Sequence, residues 1–376
     1  MTGSKVAGSL IEGFDGIVCD LDGVIYRGRQ AVPHAVDSLS SALSAGVRVV
    51  YATNNASRSP AEVAAHLEAL GLPGPGSRVV TSSQAGAGYV AQRCPAGSRV
   101  LAVGGPGVSL ALKEAGLLPV RAESLAMRAA PATTGDRSLA TEQAGRPDTP
   151  LVAVLQGYGA EVAWTDLAEA AYAVHGGALW VATNIDSTLP TDRGMAPGNG
   201  ALVAAVRQAV DVDPVVVGKP HTPLYELSIS VLGTGVDRTL AIGDRLDTDI
   251  KGATAAGLAS LFVFGGVHGW ADVVGADQDA RPRYVATDLR SLHSAYVEPV
   301  RDRLDTSRWI CAEAAAWLSP SGELAVSGSG SLEQRVRAGL AALWEAGDVR
   351  GGPLDPRGGS GAALSDELEM ALSQHG

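Results

Sequence analysis

Asp20-Leu21-Asp22-Gly23-Val24 follows directly on the apolar run Gly16-Ile17-Val18-Cys19. Apolar residues breaking into two carboxylates and a glycine describe a buried strand that ends in a turn. Side chains on an extended chain alternate, so Asp20 and Asp22 leave the strand on the same side. Such a pair supplies a nucleophile beside an acid/base, or oxygens for a hard cation. D-x-D is short and recurs on solvated loops, so its weight depends on what stands elsewhere in the chain.

Three later segments have the same construction. Val49-Val50-Tyr51-Ala52 runs into Thr53-Asn54-Asn55, Val215-Val216-Val217 into Gly218-Lys219-Pro220, and Leu240-Ala241-Ile242 into Gly243-Asp244 with Asp247 and Asp249 close behind. Ligands of open α/β sheets bind outside the carboxyl ends of the strands. Four apolar strands that each end in ligand-grade residues therefore predict one site assembled from four places. Strand and helix signals alternate from Gly16 onward, which predicts an α/β fold with a parallel sheet. Pro60 to Leu70 is a predicted helix, with Ser59 as N-cap, Glu62 completing a capping box and Gly71 past its end.

In this order the segments resemble the four motifs of the haloacid dehalogenase-like hydrolases. The closer resemblance is to the p-nitrophenyl phosphatase/NagD-type branch, which includes phosphoglycolate and glycerol-3-phosphate phosphatases. It rests on D-x-D-G-V at 20–24, T-N-N at 53–55, G-K-P at 218–220 and G-D-R-L-x-T-D-I at 243–250, and it covers Phe14 to Leu292. The resemblance implies a Rossmann-like parallel-sheet core with an inserted α/β cap domain that closes over the site. The expected division is core at 1–81 and 199–297, cap at 82–198, and a small C-terminal extension of unassigned role at 298–376. Strand-like runs at Val100–Val103, Leu151–Leu155 and Leu179–Thr183 suit the cap. The stretch 124–150 lacks an apolar period and reads as a mobile loop within it.

The activity so implied is a Mg²⁺-dependent phosphatase acting through an aspartyl-phosphate on small phosphorylated metabolites, glycerol 3-phosphate or 2-phosphoglycolate first. By resemblance Asp20 is the nucleophile. Asp22 protonates the leaving alkoxide, then deprotonates the attacking water, and offers its backbone carbonyl to the metal. Asp20 and Asp244 are the expected carboxylate ligands, with Asp249 orienting metal waters or Lys219 from behind them. Thr53 and Asn54 donate to the phosphoryl group; Asn55 either joins them or caps the following turn. Lys219 supplies a point charge for the phosphate, and Asp247 reads as solvated or capping. Thr183 to Pro190 resembles the specificity loop of the glycerol-3-phosphate and phosphoglycolate phosphatases, which places Asp186 among the substrate-binding residues. Arg193, just beyond, either meets a substrate carboxylate or hydroxyl or is solvated.

Composition limits the alternatives. A net charge of -11 over 376 residues argues against nucleic acid as a partner. A bound cation and one lysine can still make a local positive site for a phosphorylated metabolite. No apolar run approaches the roughly 18 residues of a membrane helix, the opening residues lack a secretory signal, and Cys19, Cys94 and Cys311 are scattered. The cytoplasm is the expected compartment, without membrane partners, and a homodimer through the cap is the assembly common in the family. A nucleotide or sugar phosphatase would differ in the cap loop. A binding or regulatory protein with a vestigial core would have lost Asp20, Asp22, Lys219 or Asp244, and all four stand. In the extension, strands are predicted at Trp309–Cys311 and Glu323–Val326. A helix capped by Ser331 and Gln334 is expected to end at Gly347. A flexible linker follows at 351–361, then a short helix with Leu364, Leu368 and Leu372.

Overall fold

The computed structural model describes residues 8–74, 78–129, 150–191 and 193–373. They form two compact units, one of residues 1–52, 66–78 and 228–376, the other of 53–65 and 79–227.

Along the chain come β1 (Gly16–Cys19), a hairpin of β2 (Tyr26–Arg27) and β3 (Gln30–Ala31), α1 (Ala35–Ser44), β4 (Arg48–Thr53), α2 (Pro60–Ala69) and β5 (Val79–Thr81). The middle holds α3 (Ser82–Ala91), β6 (Arg99–Val103), α4 (Pro106–Glu114), β7 (Leu118–Val120), α5 (Ala122–Ala129), β8 (Ala153–Gln156), α6 (Trp164–His175) and β9 (Leu179–Ala182). It continues with β10 (Thr188–Thr191), β11 (Gly194–Pro197), α7 (Asn199–Arg207), β12 (Val215–Val216) and α8 (Pro223–Leu232). Then follow β13 (Thr239–Gly243), α9 (Lys251–Ala255), β14 (Ala259–Val263), α10 (Trp270–Val274) and β15 (Tyr284–Ala286). The C-terminal part has β16 (Val300–Arg301), β17 (Trp309–Cys311), β18 (Ala314–Leu318), β19 (Leu324–Gly328), α11 (Leu332–Arg350) and α12 (Ser360–Ser373).

The fold is α/β, as the strand–helix alternation predicts. A six-stranded parallel core sheet has the order β15-β14-β13-β1-β4-β5. β1 is buried along its whole length, which is why it reads as a continuous apolar run rather than an alternating one. The chain moves from β1 to β4 on one side and returns to pair β13 on the other. The strand order therefore reverses between β1 and β13, and a crevice opens beyond their carboxyl ends at such a switch point. The inserted sheet is five-stranded and parallel, in the order β12-β9-β8-β6-β7. Leu101, Val103, Val154, Trp180 and Val203 lie in its core.

The C-terminal part departs most from the sequence expectation. Its sheet is antiparallel in the order β16-β17-β18-β19, and β18 was not predicted because Ala314-Ala315-Ala316 lacks the β-branched residues that mark strands. α11 does begin with Ser331 and Gln334 in a capping box, but it runs through Gly347 to Arg350 and stops at Gly351, whose φ of 76° is left-handed. The stretch 351–361 is packed rather than loose. Gly359 bridges to Leu324, and the carbonyl of Pro356 accepts a hydrogen bond from Trp270 Nε1 at 2.7 Å. One hydrophobic core joins Phe262 and Val285 of the parallel sheet, and Phe264 just past β14, to Leu340, Leu343, Leu364 and Leu368 of the extension. A helix occupies Ala122–Ala129 where the 124–150 loop was expected to begin; residues 130–149 of that loop lie outside the described residues.

Candidate active site

Asp20 extends the ladder one step past β1, its N–H donating to Ile242 O at 2.9 Å. Cys19 is in register with Ile242, so Asp20 and Asp244 emerge from neighbouring strands at the switch point. The carboxylates of Asp20, Asp244 and Asp249 each place an oxygen within 4.8 Å of the others. Asp244 is 0% and Asp249 3% exposed. Three like charges this close, two of them out of water, are costly unless a cation lies among them. An all-oxygen donor set of this kind suits Mg²⁺, which keeps waters beside one or two carboxylates.

Local backbone explains how the three converge. Leu246–Ile250 is a single π-helical turn, with the Ile250 N–H reaching Arg245 O at 3.1 Å. Such wide turns recur at functional sites. Here the turn carries the Asp249 carboxylate back to accept the Arg245 N–H at 3.1 Å. Glycine lets the chain press against the acids: a Cβ on Gly23 or Gly266 would stand 2.6 or 1.7 Å from Asp244 Oδ2, and one on Gly243 2.2 Å from Asp249 Cβ. Val267 N–H donates to Asp244 Oδ2 at 2.7 Å.

Asp249 was expected to act from behind Asp20 and Asp244; its carboxylate lies within 4.8 Å of theirs. Asp22 is exposed in the turn that leads into β2, and its carboxylate is outside the cluster. Asp247 is also outside and is held by Arg245 at 2.8 Å. Partial burial works to raise its carboxyl, but the hydrogen bonds and charge of Arg245 outweigh this and hold it below the usual range.

The other expected site residues lie in the second unit, and Lys219 and Asp186 meet at Asn54. Lys219 N–H donates to Asn54 Oδ1 at 2.8 Å, and Asn54 Nδ2 returns a bond to Lys219 O at 3.0 Å. Asn54 Nδ2 is also 3.5 Å from Asp186 Oδ2. The carbonyl of Asn54 accepts from Asn184 Nδ2 and Ser82 Oγ, both at 2.7 Å. Lys219 is only 4% exposed, and a lysine kept from water is rarely without partners. Thr53 closes β4, buried, with its Oγ1 accepting the Asn55 N–H at 3.0 Å. Asn55 is engaged as a turn cap, its Oδ1 accepting from the N–H and Oγ of Ser57. Arg193 is exposed between β10 and β11, a hairpin the sequence reading did not predict.

Two contributors were not singled out from the sequence. Asn199, 1% exposed, donates to Asn184 O at 2.7 Å and so ties the 184–186 loop to the start of α7. Its signal was a buried-type asparagine following Pro197-Gly198. The loop after β14 supplies Val267 N–H to Asp244, and His268 Nδ1 accepts Leu246 N–H at 2.9 Å. A backbone amide leaves no mark in a sequence, although Gly265-Gly266 was a visible hint of close approach.

A family profile described as haloacid dehalogenase-like hydrolase matches residues 17–118, and one described as HAD-hydrolase-like matches 216–292. The chain is 40% identical over 349 residues to a D-glycerol 3-phosphate phosphatase of Mycobacterium tuberculosis, covering 90% of this chain and 88% of that protein. The chain belongs to the haloacid dehalogenase-like hydrolases. Among these hydrolases it falls in the p-nitrophenyl phosphatase/NagD-type branch, with a crystal structure of a thermostable NPPase of Geobacillus stearothermophilus matching at 31% identity and a TM-score of 0.61 over 74% of this chain and 97% of the other. A crystal structure of a glycerol phosphate phosphatase of Mycobacterium tuberculosis in complex with magnesium matches this hydrolase with a TM-score of 0.75 at 39% identity, covering 90% of this chain and 92% of the other. A 5'-nucleotidase of Bacillus subtilis is 32% identical over 254 residues, covering 68% of this chain and 88% of that protein.

Proposed function

We propose that this hydrolase is a Mg²⁺-dependent phosphatase of small phosphorylated metabolites, with glycerol 3-phosphate as its first substrate and 2-phosphoglycolate as the next to test. The observation that carries the reading is the Asp20–Asp244–Asp249 carboxylate cluster at the β1/β13 switch point. It stands in a chain 40% identical to a D-glycerol 3-phosphate phosphatase. Asp20, Asp244 and Asp249 would hold the ion, with the Asp22 carbonyl as a further ligand, and a bound Mg²⁺ neutralises phosphoryl charge and orients the group for in-line attack.

The chain's own residues do the rest. An Asp20 carboxylate oxygen attacks phosphorus, the bond to the substrate oxygen breaks, and Asp22 gives its proton to the departing alkoxide. Asp22 then takes a proton from water, which attacks the aspartyl-phosphate and releases phosphate and Asp20. Lys219, Thr53 and Asn54 bind the equatorial oxygens, which is where charge must be stabilised. Asp186 and Arg193 read the part of the substrate that does not react. In this reading the cap spans 82–198, the core 1–81 and 199–297, and 298–376 is the extension. The assembly proposed is a homodimer through the cap, to be checked by light scattering of the eluted protein.

A second reading, nucleotide phosphatase, is favoured by the similarity to a 5'-nucleotidase. A panel of phosphate esters assayed with Mg²⁺ separates the two. Preference for glycerol 3-phosphate supports the first, and preference for nucleoside monophosphates replaces it. Asp20→Asn, nearly isosteric but a poor nucleophile, should abolish turnover and BeF₃⁻ trapping while leaving the fold intact. Substantial activity in that variant would remove the nucleophile assignment.

A further inference from the structure

The loop of residues 264–269 has two faces. One meets the carboxylate cluster: Gly266 abuts Asp244, Val267 N–H binds its Oδ2, and His268 holds the start of the π turn that carries Asp249. This close approach requires Gly265-Gly266, and Gly265 has a φ of 114°. Glycines give the approach at an entropic cost, because such a segment has no side chains to fix it.

The other face meets the C-terminal extension. A Cβ on Gly265 would stand 2.8 Å from Arg27 Nη2 and 3.4 Å from Leu372 Cδ2 of α12, so the guanidinium closes the space the glycine leaves open on one side and Leu372 packs against it at an ordinary distance on the other. Loop residues Gly265 to Trp270 share one surface pocket with Ser365, Leu368, Glu369 and Leu372. Leu368 and Leu364, one and two turns back along the same stripe, are each 2% exposed and lie in one core with Trp270. Trp270, directly after the loop, donates its indole N–H to Pro356 O at 2.7 Å. Arg27 of the β2–β3 hairpin donates to Gly265 O.

We infer that the C-terminal extension is a brace for the metal site, with Leu372 and Trp270 as positioning residues that hold the Gly265–His268 loop, and through it Asp244 and Asp249, in the geometry that receives Mg²⁺. The inference rests on the metal assignment proposed above. It gives residues 351–373 a role in the reaction of the core rather than an activity of their own.

Mn²⁺ binding to the full-length protein, followed by the electron paramagnetic resonance of the free ion, tests this directly, with kcat and KM for p-nitrophenyl phosphate measured at saturating Mg²⁺. Leu372→Ala should weaken Mn²⁺ about tenfold, the lower end of what outer-shell partners contribute, while KM at saturating Mg²⁺ stays within about twofold. Trp270→Phe keeps an aromatic ring in the core, though a smaller one, and removes the bond to Pro356; it should move Mn²⁺ affinity in the same direction, and it decides the matter if Leu372→Ala fails to fold. Val326→Ala trims the same core at β19, outside the pocket that the loop shares with α12, and should lower Tm without changing Mn²⁺ affinity. Wild-type affinity in both folded loop variants overturns the brace, as does an equal loss in Val326→Ala. Wild-type protein that binds no Mn²⁺ overturns the metal assignment and the brace with it.

Discussion

Gly266→Ala adds one methyl group to the metal site. Its Cβ would lie 1.7 Å from Asp244 Oδ2, where ordinary contact begins at 3.4 Å. The carboxylate must swing away or the loop must back off, and either movement breaks the 2.7 Å bond from Val267 N–H. Hydrogen bonds to charged groups contribute about 1.5–3 kcal/mol, and about 1.4 kcal/mol is a factor of ten in affinity. Mg²⁺ affinity should therefore fall about 10- to 100-fold. Gly266 is not among the residues of positive φ, so alanine introduces no backbone strain there and the effect stays at Asp244. Calorimetric titration with Mg²⁺ gives the affinity, and melting with and without the ion gives an independent reading. At a concentration one hundred times the wild-type Kd, the ion stabilises wild type by about 2.7 kcal/mol. A variant with hundredfold weaker binding would gain only about 0.4 kcal/mol. An affinity within twofold of wild type and a normal kcat would refute the reasoning, because Asp244 could not then be both confined by Gly266 and essential to the ion.

The remaining expectations concern the second unit and the core edge. Asn199→Ala removes the amide that holds the Asn184 carbonyl; urea unfolding should show a loss of about 1–3 kcal/mol, and KM should rise as the 184–186 loop loosens. Arg193→Ala should raise KM for glycerol 3-phosphate much more than for p-nitrophenyl phosphate, since the lost contact lies on the non-reacting part; equal losses on both would mean a supporting role only. Asp288 caps the turn at Leu289–His293 through Arg290 N–H at 2.9 Å. Burial acts to raise its carboxyl, but the side-chain and backbone bonds of Arg290 outweigh it and hold it below the usual value. Its stabilisation is thus present above the unfolded-state pKa and lost as pH falls through the lower folded-state one. Asp288→Ala should cost about 1 kcal/mol at neutral pH, with the difference from wild type vanishing in acid; a constant difference down to low pH would contradict the pairing.

The parallel sheet, and the convergence of Asp20 and Asp244 at its carboxyl edge, were legible because both depend on local pattern. An apolar strand that stops at Asp20 or Asp244 carries burial and chemistry in one short window. Asp249 was expected to act from behind Asp20 and Asp244, and the π turn, which leaves no mark in the sequence, brings its carboxylate to within 4.8 Å of theirs. Asn55 was balanced between phosphate and turn, and only the geometry shows its oxygen taken by Ser57. The extension was read least well. Its glycine-rich strap looked loose by composition, but the bonds that fix it come from Trp270 and Leu324, far away in sequence. Long-range contacts of that kind have no local signature.

The return of the chain to β1 also has a consequence for synthesis. β1 can pair with β4 as soon as residue 53 has emerged, but its other neighbour, β13, is made only at residues 239–243. At roughly 5–20 residues per second, the β13-facing edge of a fully apolar strand waits about ten to forty seconds on the ribosome. An unpaired edge is a template for pairing with other chains. Protection of Gly16–Cys19 in the nascent chain is thereby tied to the length of chain between β4 and β13: shortening residues 54–238 would shorten the exposure, and slowing translation between them would lengthen it.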